Sequence, residues 1–315
     1  MRKVALFYDD KNSLEENIPG QEYKRGIAFQ YGDKFYAINL NINKKAILAV
    51  DADSENLNAW ILKKFGDANP VKAECFPGNY YKRIWRPHWP GPSNYGVISY
   101  IQNINKITGS FISLRILLNK LEELFETIEP SVDNLSVYGH KIREILLLAC
   151  MEVESSWVAV LKENGYQQTM PWKTTDYIKL LSPMFLDCYR LSLRSYPNFP
   201  QFSPFENWNV GNPTQSLLWY DSYNKTKHDR ENNLRLATLD NAVHAVGAAA
   251  VMFYAQFGLN FGVGWDKFTP VIRNIFNVAP DFKKHEHAFY VQPIKLQIDN
   301  PPAFSFDWIA IDYPF

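Results

Sequence analysis

Between residues 236 and 257 the large apolar side chains recur in alternating steps of three and four, at Leu236, Leu239, Val243, Val246, Ala250, Phe253 and Phe257. This spacing predicts a helix pressed against a core. Thr238 is placed to cap it and Asp240 falls in its first turn. The opposite face carries Ala242, Ala245, Ala248 and Ala249, small enough to admit a second helix at close range, from this chain or from a second copy. Two more helical stripes come earlier. After a break at Gly109-Ser110, Leu114, Leu117, Leu118, Leu121, Leu124, Phe125 and Ile128 form one that Pro130 stops, and residues 134–162 form another that ends at Asn164-Gly165. Together they predict a helical hairpin.

Period-two stretches lie toward the two ends. Ile27, Phe29 and Tyr31, then Gly32-Asp33, then Phe35, Ala37 and Asn39 predict a hairpin with a two-residue turn, and residues 45–51 a third strand. Asp53-Ser54 would cap a short helix through Trp60, Leu62 and Phe65. Tyr189, Leu191 and Leu193 alternate with Arg190, Ser192 and Arg194 as an edge strand would. Residues 289–298 and 304–311, broken at Pro301-Pro302, would complete the N-terminal sheet. The expected class is α+β: a β-rich region of residues 1–96, a helical domain of residues 97–260, and a C-terminal segment of residues 261–315 whose strands pack on the N-terminal region.

Composition narrows the function classes. The 315 residues are 46% hydrophobic, ample for a core, and 33 basic residues balance 33 acidic ones, so any contact with nucleic acid must come from a local patch. Cys75, Cys150 and Cys188 show no CxxC spacing, which predicts reduced thiols and a cytoplasmic protein. The start, MRKVALFYDD, has too short an apolar run for a signal peptide. His244, Gln256 and Asn260 interrupt the apolar run of residues 242–263, so no membrane span is expected. His285 and His287 form an HxH pair with no further ligands nearby, a weak metal signal, and neither metal nor cofactor is expected. Residues 75–95 interleave prolines and aromatics with Lys82, Arg83, Arg86 and His88. Such a loop suits single-stranded nucleic acid, but without net basicity the favoured reading is a proline-stiffened loop that packs its aromatics onto the helical domain and leaves its charges in solvent.

The candidate chemistry gathers in residues 219–231, where Tyr220, Asn224, Lys227, His228 and Glu231 recur at helical spacing. Prolines at 197, 200 and 204 lead an aromatic turn toward Trp208, placed as a lid over that face. In the second long helix Arg143, Leu147, Cys150, Glu154, Val158 and Leu161 share a face, which sets a carboxylate in a mostly apolar row. Glu154 needs a partner, and Lys227, His228 and Arg230 are the candidates.

The run W-Y-x-x-Y-N-K-x-K-H-x-R from Trp219 to Arg230, the A-T-L-D-N-A start at Ala237, and R-E-I-L-L-L-A-C-M-E-V-E from Arg143 to Glu154 together resemble the HEPN superfamily over residues 134–257. The resemblance implies a compact, usually dimeric helical bundle of a kind found in bacterial defence and stress systems as metal-independent ribonucleases or RNA-binding partners. The family's motif is an arginine, often followed by a polar residue such as asparagine, with a histidine a few residues further on. Asn224 and His228 match; the arginine does not, since Tyr223, Ser222 and Asp221 stand where it would be. Three readings stay open. In one the cluster binds RNA or a protein partner, with Arg230, Tyr220, Tyr223 and Arg143 as binding residues and a degenerate catalytic motif. In another it cleaves RNA weakly or conditionally, with His228 as acid or base, Lys227 or Arg230 as phosphate ligand, Asn224 orienting them and Glu154 assisting. In the third the cluster is structural. The expected partners are RNA, a second copy through the helical domain, and a protein through the β-rich region, with no membrane contact.

Overall fold

The computed structural model describes residues 4–12, 24–39, 47–52, 56–89, 104–167, 170–258, 268–291 and 308–315. The chain is α+β and divides into two compact units. One comprises Met1–Tyr80, Arg86–Ser93 and His285–Ala310, and the other Tyr81–Trp85, Asn94–Lys284 and Ile311–Phe315.

The first unit is built on an antiparallel sheet of β1 (Ala5–Asp10), β2 (Lys24–Tyr31), β3 (Lys34–Asn39), β4 (Ile47–Asp51) and β5 (Val71–Lys72), in the order β4-β3-β2-β1-β5. The β2–β3 hairpin turns at Gly32-Asp33 as its pattern predicts, with Gly32 at φ +61°, a conformation that glycine takes without steric cost. β1 is a strand that the alternation did not reveal. Its Leu6, Phe7 and Tyr8 are all buried, because both faces of the sheet are covered. On one face Phe7, Ile27, Phe29, Tyr36 and Ile38 pack with Phe76 and Val291. On the other, Leu6, Tyr8, Ala28, Phe35 and Ala37 pack with Trp60, Ile61 and Phe65 of α1 (Leu57–Phe65). The Asn56 side chain caps α1 by accepting from the Ala59 N–H at 2.9 Å, while Asp53-Ser54, the expected cap, lie outside the described residues. Leu62 faces solvent, not the sheet.

Two expectations for this unit are corrected. The tail strand Tyr290–Val291 does not extend the five-stranded sheet; it pairs in parallel with His88–Trp89. Nor is Arg86 of the proline-rich loop solvated. It is 1% exposed, forks onto Glu74 at 2.7 and 3.0 Å, and donates to the Ala288 carbonyl at 3.1 Å. Only a bidentate pair with its remaining donors engaged makes so buried a guanidinium tolerable. The aromatics Phe76 and Tyr80 are buried, Phe76 against the sheet of its own unit where packing on the helical domain was expected.

The second unit is a helical bundle of α2 (Ile104–Phe125), α3 (His140–Glu163), α4 (Leu218–His228), α5 (Leu239–Phe257) and α6 (Thr269–Ile275). α5 is the central helix and packs on α2, α3 and α4. The Thr238 side chain caps it by accepting from the Asn241 N–H at 3.3 Å. Its alanine face is filled from within the chain: Ala242, Ala245 and Ala248 are wholly buried and Ala249 nearly so. α2 runs through Gly109 without a break, because one glycine in a helix costs about 1 kcal/mol and the buried leucine stripe outweighs it. α3 starts later than its pattern predicts. The carbonyls of Val137 and Leu135 accept from Leu239 and Asp240 at 2.8 and 3.1 Å, so the segment ahead of α3 satisfies N–H groups that the start of α5 leaves without helical partners.

The strand Tyr189–Leu193 buries Tyr189, Leu191 and Leu193 as its alternation predicts, and pairs antiparallel with Phe276–Pro280. The proline-rich stretch that follows is core and not a lid. Phe199, Phe202, Phe205 and Trp208 are buried, Trp208 stacks on Trp157 at 5.0 Å, and the Trp219 indole N–H donates to the Pro204 carbonyl at 2.9 Å. His285 and His287 lie in a 3₁₀ helix, Lys283–Ala288, in place of the expected strand. Among the described residues no group of three or more His, Cys, Asp or Glu side chains gathers as metal ligands, and no helix is long and apolar enough to cross a membrane.

Candidate functional site

The site is where α4 lies against α3 and α5. Thr226 and Ser222 turn inward, with the Thr226 hydroxyl donating to the Ser222 carbonyl at 2.8 Å, and the Asn241 amide of α5 donates to the Ser222 hydroxyl at 2.9 Å. These bonds fix the rotation of α4 about its axis. They bring Tyr220 and Tyr223, three residues apart, onto Glu154 of α3.

The two phenols divide the carboxylate between them. The Tyr220 hydroxyl donates to Glu154 Oε1 at 2.5 Å, and the Tyr223 hydroxyl donates to Oε2 at 3.2 Å. Lys227 stands one turn beyond, its ammonium donating to the Tyr223 oxygen at 2.9 Å and lying 4.9 Å from the centre of that ring. Among the described residues no ion pair joins Glu154 to a lysine, arginine or histidine. The expected direct contact with Lys227, His228 or Arg230 is replaced by a relay through Tyr223. A half-buried carboxylate is thus compensated by two hydroxyl donors, with the cation one bond removed.

Aromatic rings wall this network. Trp157 meets Tyr220 edge-on at 5.4 Å and Tyr177 at 4.9 Å. Burial first, and then the Glu154 charge, raises the hydroxyls of Tyr220 and Tyr223 above the usual phenol range, and raises Tyr177 to about 12, with Asp176 adding to it. All three phenols stay protonated at neutral pH, able to donate and unable to act as bases. Cys150, fully buried one turn before Glu154, is pushed well above the thiol range by burial and by Glu154, against a smaller opposing pull from Lys227. It remains a thiol and not a nucleophile.

The other residues singled out by the sequence are distributed around this core. Arg143 reaches across from α3 and donates from Nε and Nη2 to the Thr226 carbonyl at 3.2 and 3.0 Å, clamping the last turn of α4 and placing a positive charge at the negative end of its dipole. The Asn224 amide donates to the Tyr220 carbonyl at 3.0 Å within its own helix. Lys227 and His228 are exposed in the last turn of α4. The helix ends there, at Asp229, whose side chain accepts from the Asn232 N–H at 3.2 Å and opens a new turn. Arg230 and Glu231 therefore leave the face on which a longer helix would have set them. Both are exposed, and the side chains of His228 and Arg230 have no hydrogen-bond or ion-pair partner among the described residues. Tyr177 and Trp157, which complete the wall, escaped the sequence reading. Trp157 lies on the apolar stripe of α3, where it reads as core, and Tyr177 sits in a single helical turn, Thr174–Tyr177, with no periodic signal.

The arrangement has an inner, hydrogen-bonded part around the half-buried Glu154 and an outer part in which cationic and imidazole side chains meet water. No family model, curated protein or solved structure matches the chain in comparison.

Proposed function

We propose that this chain is a HEPN-like RNA-binding module of the kind found in bacterial defence or stress systems, with the C-terminal turn of α4 and the turn after it as the contact surface. The observation that carries the reading is the contrast among the cations of this segment. Lys225 is tied to Asp221 at 2.5 Å, whereas Lys227 and Arg230 are exposed and make no ion pair among the described residues. Cations without a carboxylate partner around one helix end, Lys227 held by the neutral Tyr223 hydroxyl and Arg230 beyond it, suit a phosphate chain. Binding is favoured over cleavage because the family's arginine is missing and Glu154 and Asn224 are engaged with Tyr220 and Tyr223, not with His228.

The resemblance also implies a homodimer, and the cysteines without CxxC spacing suit a cytoplasmic setting. With the alanines of α5 filled from within, a second copy would have to use another face of the bundle. The test uses EDTA-treated protein, a mixed RNA pool, and the variants Lys227→Ala, Arg230→Ala and His228→Ala. Binding that falls in the first two and survives in the third, with no cleavage by any protein, supports the module. Cleavage by wild type that His228→Ala abolishes replaces it with the ribonuclease reading. Wild type and all variants alike toward RNA leave the cluster structural.

A further inference from the structure

Beyond the end of α3, in the same unit, three half-exposed aromatic rings form a ledge. Tyr166 meets Trp172 at 6.3 Å and Phe315 at 5.5 Å, the latter edge-on. Its shape is set in advance by Asp176, which accepts the Tyr166 hydroxyl at 2.9 Å on one oxygen and the Lys173 N–H at 3.0 Å on the other. Trp172 is backed from inside by Tyr177, nearly parallel to it at 14° and 6.4 Å. Two exposed lysines lie over these rings: Lys162 at 5.9 Å from Trp172 and Lys179 at 5.6 Å from Tyr166. Neither makes an ion pair among the described residues, and both ammoniums remain available to an anion.

We propose that this ledge is a stacking platform for single-stranded RNA, with bases laid on Trp172 and Tyr166 and phosphates met by Lys162 and Lys179. The inference rests on the reading of the chain as an RNA-binding module and adds the form of the RNA. A π-face covered only by a flexible lysine, which can swing out to meet a phosphate, takes any base that can leave its own stack, and a duplex offers no such base. The Asp176 bonds hold Tyr166 and the Lys173 backbone in place before any ligand arrives, which lowers the cost of ordering these two residues on binding. The ledge is also continuous with the α4 network, since Tyr177 touches Trp157, which touches Tyr220.

The experiment compares binding of a fluorescein-labelled twelve-nucleotide oligouridylate, and of a labelled RNA hairpin duplex, to the full chain and to four variants. Trp172→Ala and the surface exchange Lys179→Glu should each weaken oligouridylate binding on the order of tenfold, and Trp172→Phe should restore most of it, because stacking needs a ring and not an indole. The Lys179→Glu variant has no buried contact to lose and keeps the test valid if Trp172→Ala misfolds. Lys227→Ala reports on α4 separately. If Trp172→Ala and Lys179→Glu bind like wild type while Lys227→Ala does not, the ledge is overturned and the α4 reading stands. If the ledge variants lose binding and Lys227→Ala does not, the ledge stands and the α4 reading falls. Equal affinity of wild type for oligouridylate and duplex also overturns the platform, and no affinity for either overturns both.

Discussion

The Tyr220 hydroxyl donates a hydrogen bond to Glu154 at 2.5 Å, a charge-assisted bond between α4 and α3 in a place where the sequence points to an ion pair. Such bonds contribute about 1.5–3 kcal/mol. Tyr220→Phe should lower unfolding stability by about 2 kcal/mol, measured in urea. Glu154→Gln should cost less than Glu154→Leu, since the amide oxygen can still accept a phenol proton whereas leucine strands two buried hydroxyls.

The same network predicts the alkaline limb of stability. Burial and Glu154 raise the folded-state values of Tyr177, Tyr220 and Tyr223, so the native state holds phenol protons more tightly than the unfolded chain. Their contribution is complete below the unfolded value near 10 and is lost as pH rises from there, through about 12 for Tyr177 and at higher pH for Tyr220 and Tyr223. Thermal melts between pH 8 and 11 should show stability falling only above about 10. Tyr220→Phe should flatten the fall; an equally steep fall in that variant would assign it elsewhere.

Arg143 should act on α4 through the Thr226 carbonyl. Arg143→Ala removes two hydrogen bonds and should cost about 1–2 kcal/mol, and amide exchange should quicken in the last turn of α4 more than in α5. Lysine should rescue poorly, since it cannot present the two parallel donors of the guanidinium.

Two helical glycines should respond with opposite sign. A Cβ at Gly109 meets nothing within 4 Å, so Gly109→Ala should stabilise by about 0.5–1 kcal/mol through the lower entropy of the unfolded chain. At Gly247 it would lie 2.7 and 3.0 Å from the Phe202 ring and 3.3 Å from Leu191, and Gly247→Ala should destabilise by about 1–3 kcal/mol. Chemical denaturation of both variants checks the contrast.

What could be read in advance follows from which interactions are local. The β2–β3 hairpin, the Tyr189–Leu193 strand and the Thr238 cap of α5 were legible because the turn glycine, the alternation and the capping hydroxyl act within a few residues of themselves. β1 was not, because a strand covered on both faces shows no alternation. The late start of α3 was hidden too, since Val137 and Leu135 are taken up by the N–H groups of Leu239 and Asp240, a hundred residues away in a partner that local propensity does not see. At the site, the sequence brought Glu154, Lys227, Tyr220 and Tyr223 into one neighbourhood and misjudged the wiring. It weighed charges against charges and overlooked that two phenols can satisfy a carboxylate. The fate of Arg86, expected in solvent and found buried on Glu74, has the same cause: net charge says nothing about which guanidinium meets a fork-shaped partner.

The most direct test of the account is the salt dependence of RNA binding. Affinity of wild type and of the Lys227→Ala plus Arg230→Ala double variant for one single-stranded RNA should be measured from about 50 to 200 mM salt, where counterion release makes log affinity linear in log salt with a slope of about 0.7 per phosphate neutralised on a single strand. The double variant should form a weaker complex, with a slope shallower by about 1.4. An unchanged slope, with affinity equal to wild type, would mean that the end of α4 does not touch the phosphate chain, and would contradict the account.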